Sequence, residues 1–182
     1  LAGGWGAVDS MRLVSHESSA YVDNGDGTHQ IVCGDCGVKL EDAVPCVYTA
    51  SAVTDASEGQ NASVTYTCAC GARKEEAVQV SVEGMDEEVN LKTGESAALD
   101  TQIKVQSIPD SVTLQDAGIY ETSDGSVVTV DENGTVSAIG AGTAYVTYTV
   151  KGNIVIDGIS KVFTAAQKSV AVQVEAAEEP GT

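Results

Sequence analysis

The sequence has few aromatic residues and few prolines, and it has no long apolar run. Phe, Trp and Tyr make up 4% of the 182 residues, and 3 Pro stand against 19 Gly. No apolar run approaches the roughly 18 residues that a membrane-spanning helix needs. No long apolar stripe has the 3.6-residue period of an amphipathic helix. We therefore expect no membrane insertion and little helix.

Basic residues are also scarce. Lys and Arg number 9 against 27 Asp and Glu, which gives a formal net charge of −18. Such a charge repels nucleic-acid phosphates and anionic lipid headgroups. The composition therefore excludes nucleic acid as a partner class and predicts a solvated acidic surface.

The residues that are abundant favour short β-strands. Val, Thr, Ser, Ala and Gly dominate, and Gly, Asn and Asp fall between the β-branched runs. Residues 78–82 alternate Val with Gln or Ser, as a half-buried strand does. Turn signals at 131–134 and 140–142 bound further strands, which we predict at residues 126–130, 143–150, 153–156, 161–164 and 169–174. This spacing predicts an all-β fold with a β-sandwich.

Two stretches of this region, Leu91–Leu99 and Ser123–Ala144, resemble the group 2 bacterial immunoglobulin-like domain. The resemblance covers roughly residues 79–175. Tyr120 stands where that family often has Trp, and segment 151–164 is long enough to add a hairpin. The resemblance implies an extracellular module that is repeated in bacterial adhesins or spaces the domains of large secreted enzymes. It implies no catalytic residue, and no His follows His29, so no Ser-His pair can form within this half.

Cysteine and histidine are confined to the first part of the chain. All five cysteines lie between Cys33 and Cys70, and His16 and His29 come shortly before them. This break in composition predicts two modules in tandem. We predict an N-terminal segment at 1–15, a small Cys/His zinc-ribbon-like hairpin module at 16–80, an immunoglobulin-like domain at 81–175 and an acidic tail at 176–182.

The cysteines form two similar motifs, which we call knuckles. The first is Cys33-Gly-Asp-Cys36-Gly37, and the second is Cys68-Ala-Cys70-Gly71. Each follows a strand-like stretch and precedes a polar stretch that contains Glu. Residues 16–78 thus resemble small Cys/His repeats from surface proteins of Gram-positive gut bacteria. Cys46 departs from that pattern because it stands where a second initial His is expected, and the second knuckle is one residue shorter.

Three interpretations of these residues remain open at this stage. The first is a metal site, with Zn²⁺ as the cofactor, in which two thiolates of a knuckle converge on the ion. Its preferred ligands are His16, Cys33, Cys36 and Cys46, with His29, Cys68 and Cys70 as alternative ligands; pairing the two knuckles gives Cys33, Cys36, Cys68 and Cys70. The second interpretation is disulfides, which a secreted chain permits. Five cysteines leave one unpaired, and a bridge from Cys46 to Cys68 or Cys70 is feasible. The third is buried thiols without a function.

A zinc ion with four protein ligands would be structural, since catalysis needs an open coordination position. Together with what the resemblance to bacterial immunoglobulin-like domains implies, this leads us to expect a non-enzymatic extracellular module of a bacterial cell-surface protein, secreted or attached to the cell wall. Its expected role is adhesion or ligand display toward a host or cell-wall protein or glycan. The alternative is a spacer that carries a catalytic domain outside this chain. In either role we expect a monomeric fragment of a larger protein.

Overall fold

The computed structural model of the protein describes residues 18–57 and 59–178, and all regular structure within them is β. This confirms the predicted all-β fold class. The described residues form these strands, in chain order: β1 (Ser19–Asp23), β2 (Thr28–Cys33), β3 (Val44–Pro45), β4 (Thr49–Thr54), β5 (Ala62–Thr67), β6 (Arg73–Glu83), β7 (Glu88–Lys92), β8 (Ser96–Ala98), β9 (Gln102–Ser107), β10 (Val112–Leu114), β11 (Ile119–Thr122), β12 (Val128–Val130), β13 (Thr135–Ala138), β14 (Gly142–Ile156) and β15 (Ile159–Glu175).

The described residues divide into two compact units. The hairpin unit comprises residues 18–48 and 68–72, and the sandwich unit comprises residues 49–57, 59–67 and 73–178. The predicted module boundary at residues 80–81 therefore lies inside β6. Strands β4 and β5, which the sequence analysis assigns to the Cys/His module, instead share a sheet with β6. The reason is that β5 pairs with β6 along its whole length and buries every second side chain.

The hairpin unit is a three-stranded antiparallel sheet in the order β1-β2-β3. Strands β1 and β2 pair from Ser19↔Cys33 to Asp23↔His29. The loop between them contains Gly25 and Gly27, whose φ angles of 77° and 84° favour glycine. The short strand β3 pairs with the start of β2. Cys46, which follows β3 directly, is therefore held at the edge of the sheet that β3 forms.

The sandwich unit contains three sheets with separate strand orders. They are β4-β5-β6-β9, β12-β13-β8, and β10-β14-β15-β7, in which β11 also pairs with β14. The predicted alternation in β6 is confirmed, because Val78, Val80 and Val82 are buried while the residues between them are not. Fully buried side chains from several sheets form the core: Val64, Val78, Val128, Val136, Val146, Val150, Ile154, Val170 and Val172.

The longest feature of the sandwich unit is the hairpin of β14 and β15. Segment 151–164 does add a hairpin, and it does so by extending these two strands beyond a bulge between Val150 and Lys151. On one face of the extension, Ile154, Ile156 and Phe163 are buried. Phe163 lies across Gly152, where an added Cβ would come within 2.6 Å of the ring. The extension is therefore part of the core on one face.

We expect Phe163→Ala to lower the free energy of unfolding by about 3–5 kcal/mol, because it removes a buried ring and leaves a cavity. The neighbouring Val162→Ala is the matched control, since Val162 is 61% exposed and should change stability by less than about 0.5 kcal/mol. Denaturant titration followed by circular dichroism measures both. Equal effects of the two substitutions would show that the extension does not belong to the core.

Candidate metal centre

Four ligand-type side chains of the hairpin unit come together at one place. Nitrogen or sulfur atoms of His29, Cys46, Cys68 and Cys70 all lie within 4.8 Å of one another. These residues come from three separate segments of the chain. We call them the Cys₃His group.

The β1–β2–β3 sheet positions the first two members of the group. His29 lies in β2 and is only 7% exposed, with the ring of Tyr21 packed edge-on against it at 5.2 Å. Val44 of β3 pairs with His29. Cys46 follows directly after β3, and its backbone N–H donates a hydrogen bond of 2.8 Å to the carbonyl of Gly27. Strand pairing thus places an imidazole and a thiol at the same edge.

The second knuckle positions the other two members. Its tight turn is closed by two backbone hydrogen bonds, from Cys68 N–H to Ala72 and from Gly71 N–H to Cys68. Gly71 has a φ of 89°, which L side chains rarely adopt. The Gly that follows this C-x-C sequence therefore allows the turn that presents both thiols.

The first knuckle has the same construction with one residue more. Cys33 N–H donates to the carbonyl of Val38, Gly37 N–H donates to the carbonyl of Cys33, and Gly37 has a φ of 72°. The two turns therefore agree in their hydrogen bonding and in the position of the glycine. The similarity of the two motifs in sequence thus extends to their backbone structure.

The distances within the Cys₃His group suit a four-coordinate metal ion. The sulfurs of Cys46 and Cys70 are 3.6 Å apart, and the sulfur of Cys68 is 3.4 Å from Nδ1 of His29. A zinc tetrahedron with standard bond lengths has edges of about 3.8 Å between two sulfurs and about 3.6 Å between sulfur and nitrogen. The group thus has the donor types and the spacing that could hold a metal ion.

The electrostatics of the thiols differ within the group. The backbone N–H of Cys70 donates to the sulfur of Cys68, and this contact, with further hydrogen bonds from Cys46, Cys70 and His29, lowers the pKa of Cys68 to about 7. Burial raises the pKa of Cys46 to about 12, and its interactions with Cys68 and Cys70 act in the same direction. One thiolate is therefore favoured at neutral pH beside a thiol that resists ionisation. A bound cation would favour the thiolate form of both.

The hairpin unit has almost no other core. Among its described residues, the side chains that are buried are His29, Cys33 and Cys68, at 7%, 1% and 4% exposure. Large apolar side chains such as Val38 and Val47 are exposed. A metal ion or a disulfide would therefore supply stability that the few buried apolar side chains of this small unit do not.

The structure combines the predicted ligands differently from either set weighed in the sequence analysis. Cys46 belongs to the preferred set, and His29, Cys68 and Cys70 are its alternative ligands; these four lie together. Cys33 and Cys36 lie in the first knuckle, outside this group. His16 lies outside the described residues. The missing signal was the pairing of β3 with β2, because only that register brings Cys46 beside His29.

One family of known domains resembles part of the sandwich unit. Residues 77–155 match the family model of the bacterial Ig-like domain (group 2). Domains of this family are typical of extracellular and surface proteins of bacteria and are generally non-catalytic. The match does not include the Cys₃His group. The similarity of residues 16–78 to Cys/His repeats stays a prediction.

No curated protein is similar enough to this chain to count as a relative. Within residues 18–57 and 59–178, no helix is long and apolar enough to cross a lipid bilayer.

The lowered pKa of Cys68 predicts that its ionisation can be followed by ultraviolet absorbance in the metal-free protein. The ultraviolet absorbance of the thiolate should rise with a step centred at about pH 7, because the hydrogen bonds favour the thiolate below the usual thiol pKa of about 8.5. Cys68→Ser should remove this step, whereas Cys36→Ser, outside the group, should keep it. A step near pH 7 that survives in Cys68→Ser would contradict the assignment.

Proposed function

We propose that this chain is a non-enzymatic extracellular module of a bacterial cell-surface protein and that it serves in adhesion or ligand display. The observation that carries the proposal is the match of residues 77–155 to the bacterial Ig-like domain, within a unit built of β-sheets. The proposed location is secreted or attached to the cell wall, where such domains are typical. A spacer role for the same module is the alternative.

One feature of the sandwich unit favours display over a plain spacer. Val155 and Val162 are each 61% exposed on the extended hairpin. Val155 pairs with Ser160 and Val162 pairs with Asn153, so the two valines are diagonal neighbours on one face. Exposed aliphatic neighbours favour a protein partner, because protein interfaces bury apolar side chains at their centre. We call this pair the hairpin patch.

We propose further that the Cys₃His group binds one Zn²⁺ ion and that this ion is structural. Three cysteines and one histidine form one of the standard ligand sets of structural zinc. Four protein ligands leave no open position for a substrate or a reactive water, which supports the non-enzymatic assignment. The ion would link three chain segments of a unit that buries few side chains, so its binding free energy would contribute to folding.

Adhesion is tested by binding of the purified chain to immobilised host matrix proteins, mucins, glycans and bacterial cell-wall fragments. We expect saturable binding to a protein, and the double substitution Val155→Ser and Val162→Ser should weaken it by tenfold or more, about 1.4 kcal/mol. Ile139→Ser is the matched control, because Ile139 is an exposed aliphatic residue elsewhere in the sandwich unit. Binding to nothing on the panel would favour the spacer role. Binding to a glycan with an affinity that the double substitution does not change would contradict the proposal that the hairpin patch binds the partner.

Zinc binding is tested by elemental analysis of the reduced protein after dialysis against a zinc buffer. We expect one zinc per chain, and zinc at about 100 times its dissociation constant should add roughly 2.7 kcal/mol to the free energy of unfolding of the hairpin unit. Cys46→Ser and Cys68→Ser should lose the metal.

Cys36→Ser is the control for this experiment, because Cys36 lies outside the Cys₃His group but inside the ligand set preferred from the sequence. It should keep its zinc. Loss of zinc from Cys36→Ser together with retention in Cys68→Ser would show that the first knuckle is the metal site.

A further inference from the structure

Two thiols of the Cys₃His group lie close enough together to form a disulfide after a small movement. The sulfurs of Cys46 and Cys70 are 3.6 Å apart, and both residues are partly exposed. A disulfide needs the two sulfurs at about 2.0 Å. A modest movement of the two side chains would therefore bring them to bonding distance.

The positions of Cys46, Cys68 and Cys70 in the chain favour a disulfide between Cys46 and Cys70 over the other two pairings. Cys68 and Cys70 are separated by one residue, and a bridge within such a short ring is strained. Cys68 is also 4% exposed and contacts Nδ1 of His29, which shields it from an oxidant. Cys46 lies beyond the two-residue strand β3, in a segment whose flanking Pro45 and Val47 are exposed. Cys46 and Cys70 are thus the pair that an oxidant reaches with the least distortion.

From this geometry we propose that Cys46 and Cys70 form a disulfide when the metal is absent, so that the group is either a metal site or a disulfide. The inference rests on the zinc site proposed above. The oxidant is a small-molecule disulfide, as expected in an oxidising extracellular setting. Cys70, as its thiolate, attacks the oxidant and releases one thiol, and Cys46 then gives up its proton as its sulfur displaces the other half of the oxidant as a second thiol. One S–S bond forms in the protein, one breaks in the oxidant, and the two protons of the protein thiols end on the two released thiols.

The two states exclude each other because they use the same electron pairs. A disulfide sulfur has no thiolate charge and is a poor metal ligand, so oxidation removes two of the four ligands. Conversely, a zinc ion bound to both sulfurs protects them from the oxidant. The redox state of the surroundings and the supply of zinc would therefore decide which link connects the segments around Cys46 and Cys70.

The test treats the metal-free protein with oxidised glutathione and maps the products by mass spectrometry. A glutamate-specific protease cuts between Cys46 and Cys68 at Glu58, and fragmentation of the linked peptide then shows which of Cys68 and Cys70 carries the bridge. We expect the link from Cys46 to Cys70. Cys68→Ser should still form an internal disulfide at Cys46, and Cys70→Ser should form none there.

The same reaction in zinc tests the exclusion. Zinc held at about 100 times its dissociation constant should slow the crosslink by about 100-fold, since only the metal-free fraction reacts. A link from Cys46 to Cys68, or to either cysteine of the first knuckle, would overturn the proposal, and so would a crosslink that forms equally fast in saturating zinc. Zinc uptake by the reduced protein is read separately. A protein that takes up no zinc yet links Cys46 to Cys70 would therefore refute the zinc site and not the choice of the disulfide pair.

Discussion

The close approach of one imidazole and three thiols is the contact on which the hairpin unit depends. Its described residues bury little else, and the group draws its members from three chain segments. Each segment is a short strand end or a tight turn that would gain little stability alone. The proposed metal ion, or in its absence the proposed disulfide, would convert this proximity into a link that opposes the conformational entropy of a small unit.

The sandwich unit is stabilised in a different way. Side chains that alternate between buried and less buried along β5, β6, β14 and β15, many of the buried ones valine, form an apolar core. With few aromatic residues in either unit, the sandwich unit is stabilised by buried aliphatic side chains. The ligand-type side chains of the Cys₃His group lie in the hairpin unit.

Local patterns in the sequence were sufficient for several parts of this description. The alternation at residues 78–82 and the glycines after each knuckle predict the strand in β6 and the two turns, because these features depend on near neighbours. The assignment of residues 49–67 to the sandwich unit was not predictable in this way. It depends on pairing between β5 and β6 and on the burial of side chains over long separations in sequence.

The ligand set was predictable only as a list of candidates. Cys46, His29, Cys68 and Cys70 were all present in that list, but spacing alone favoured the nearest cysteines, Cys33 and Cys36. The choice depends on the register of β3 against β2, in which Pro45 pairs with Thr28 and Val44 with His29. A two-residue strand has no periodicity from which such a register can be read.

X-ray absorption at the zinc edge tests the central claim most directly, when it is measured on a double variant with Cys33→Ser and Cys36→Ser. The Cys₃His group predicts a first shell of three sulfurs at about 2.3 Å and one nitrogen at about 2.0 Å, unchanged from the unsubstituted protein. A shell that loses two sulfurs in the double variant, or a variant that binds no zinc, would contradict the account.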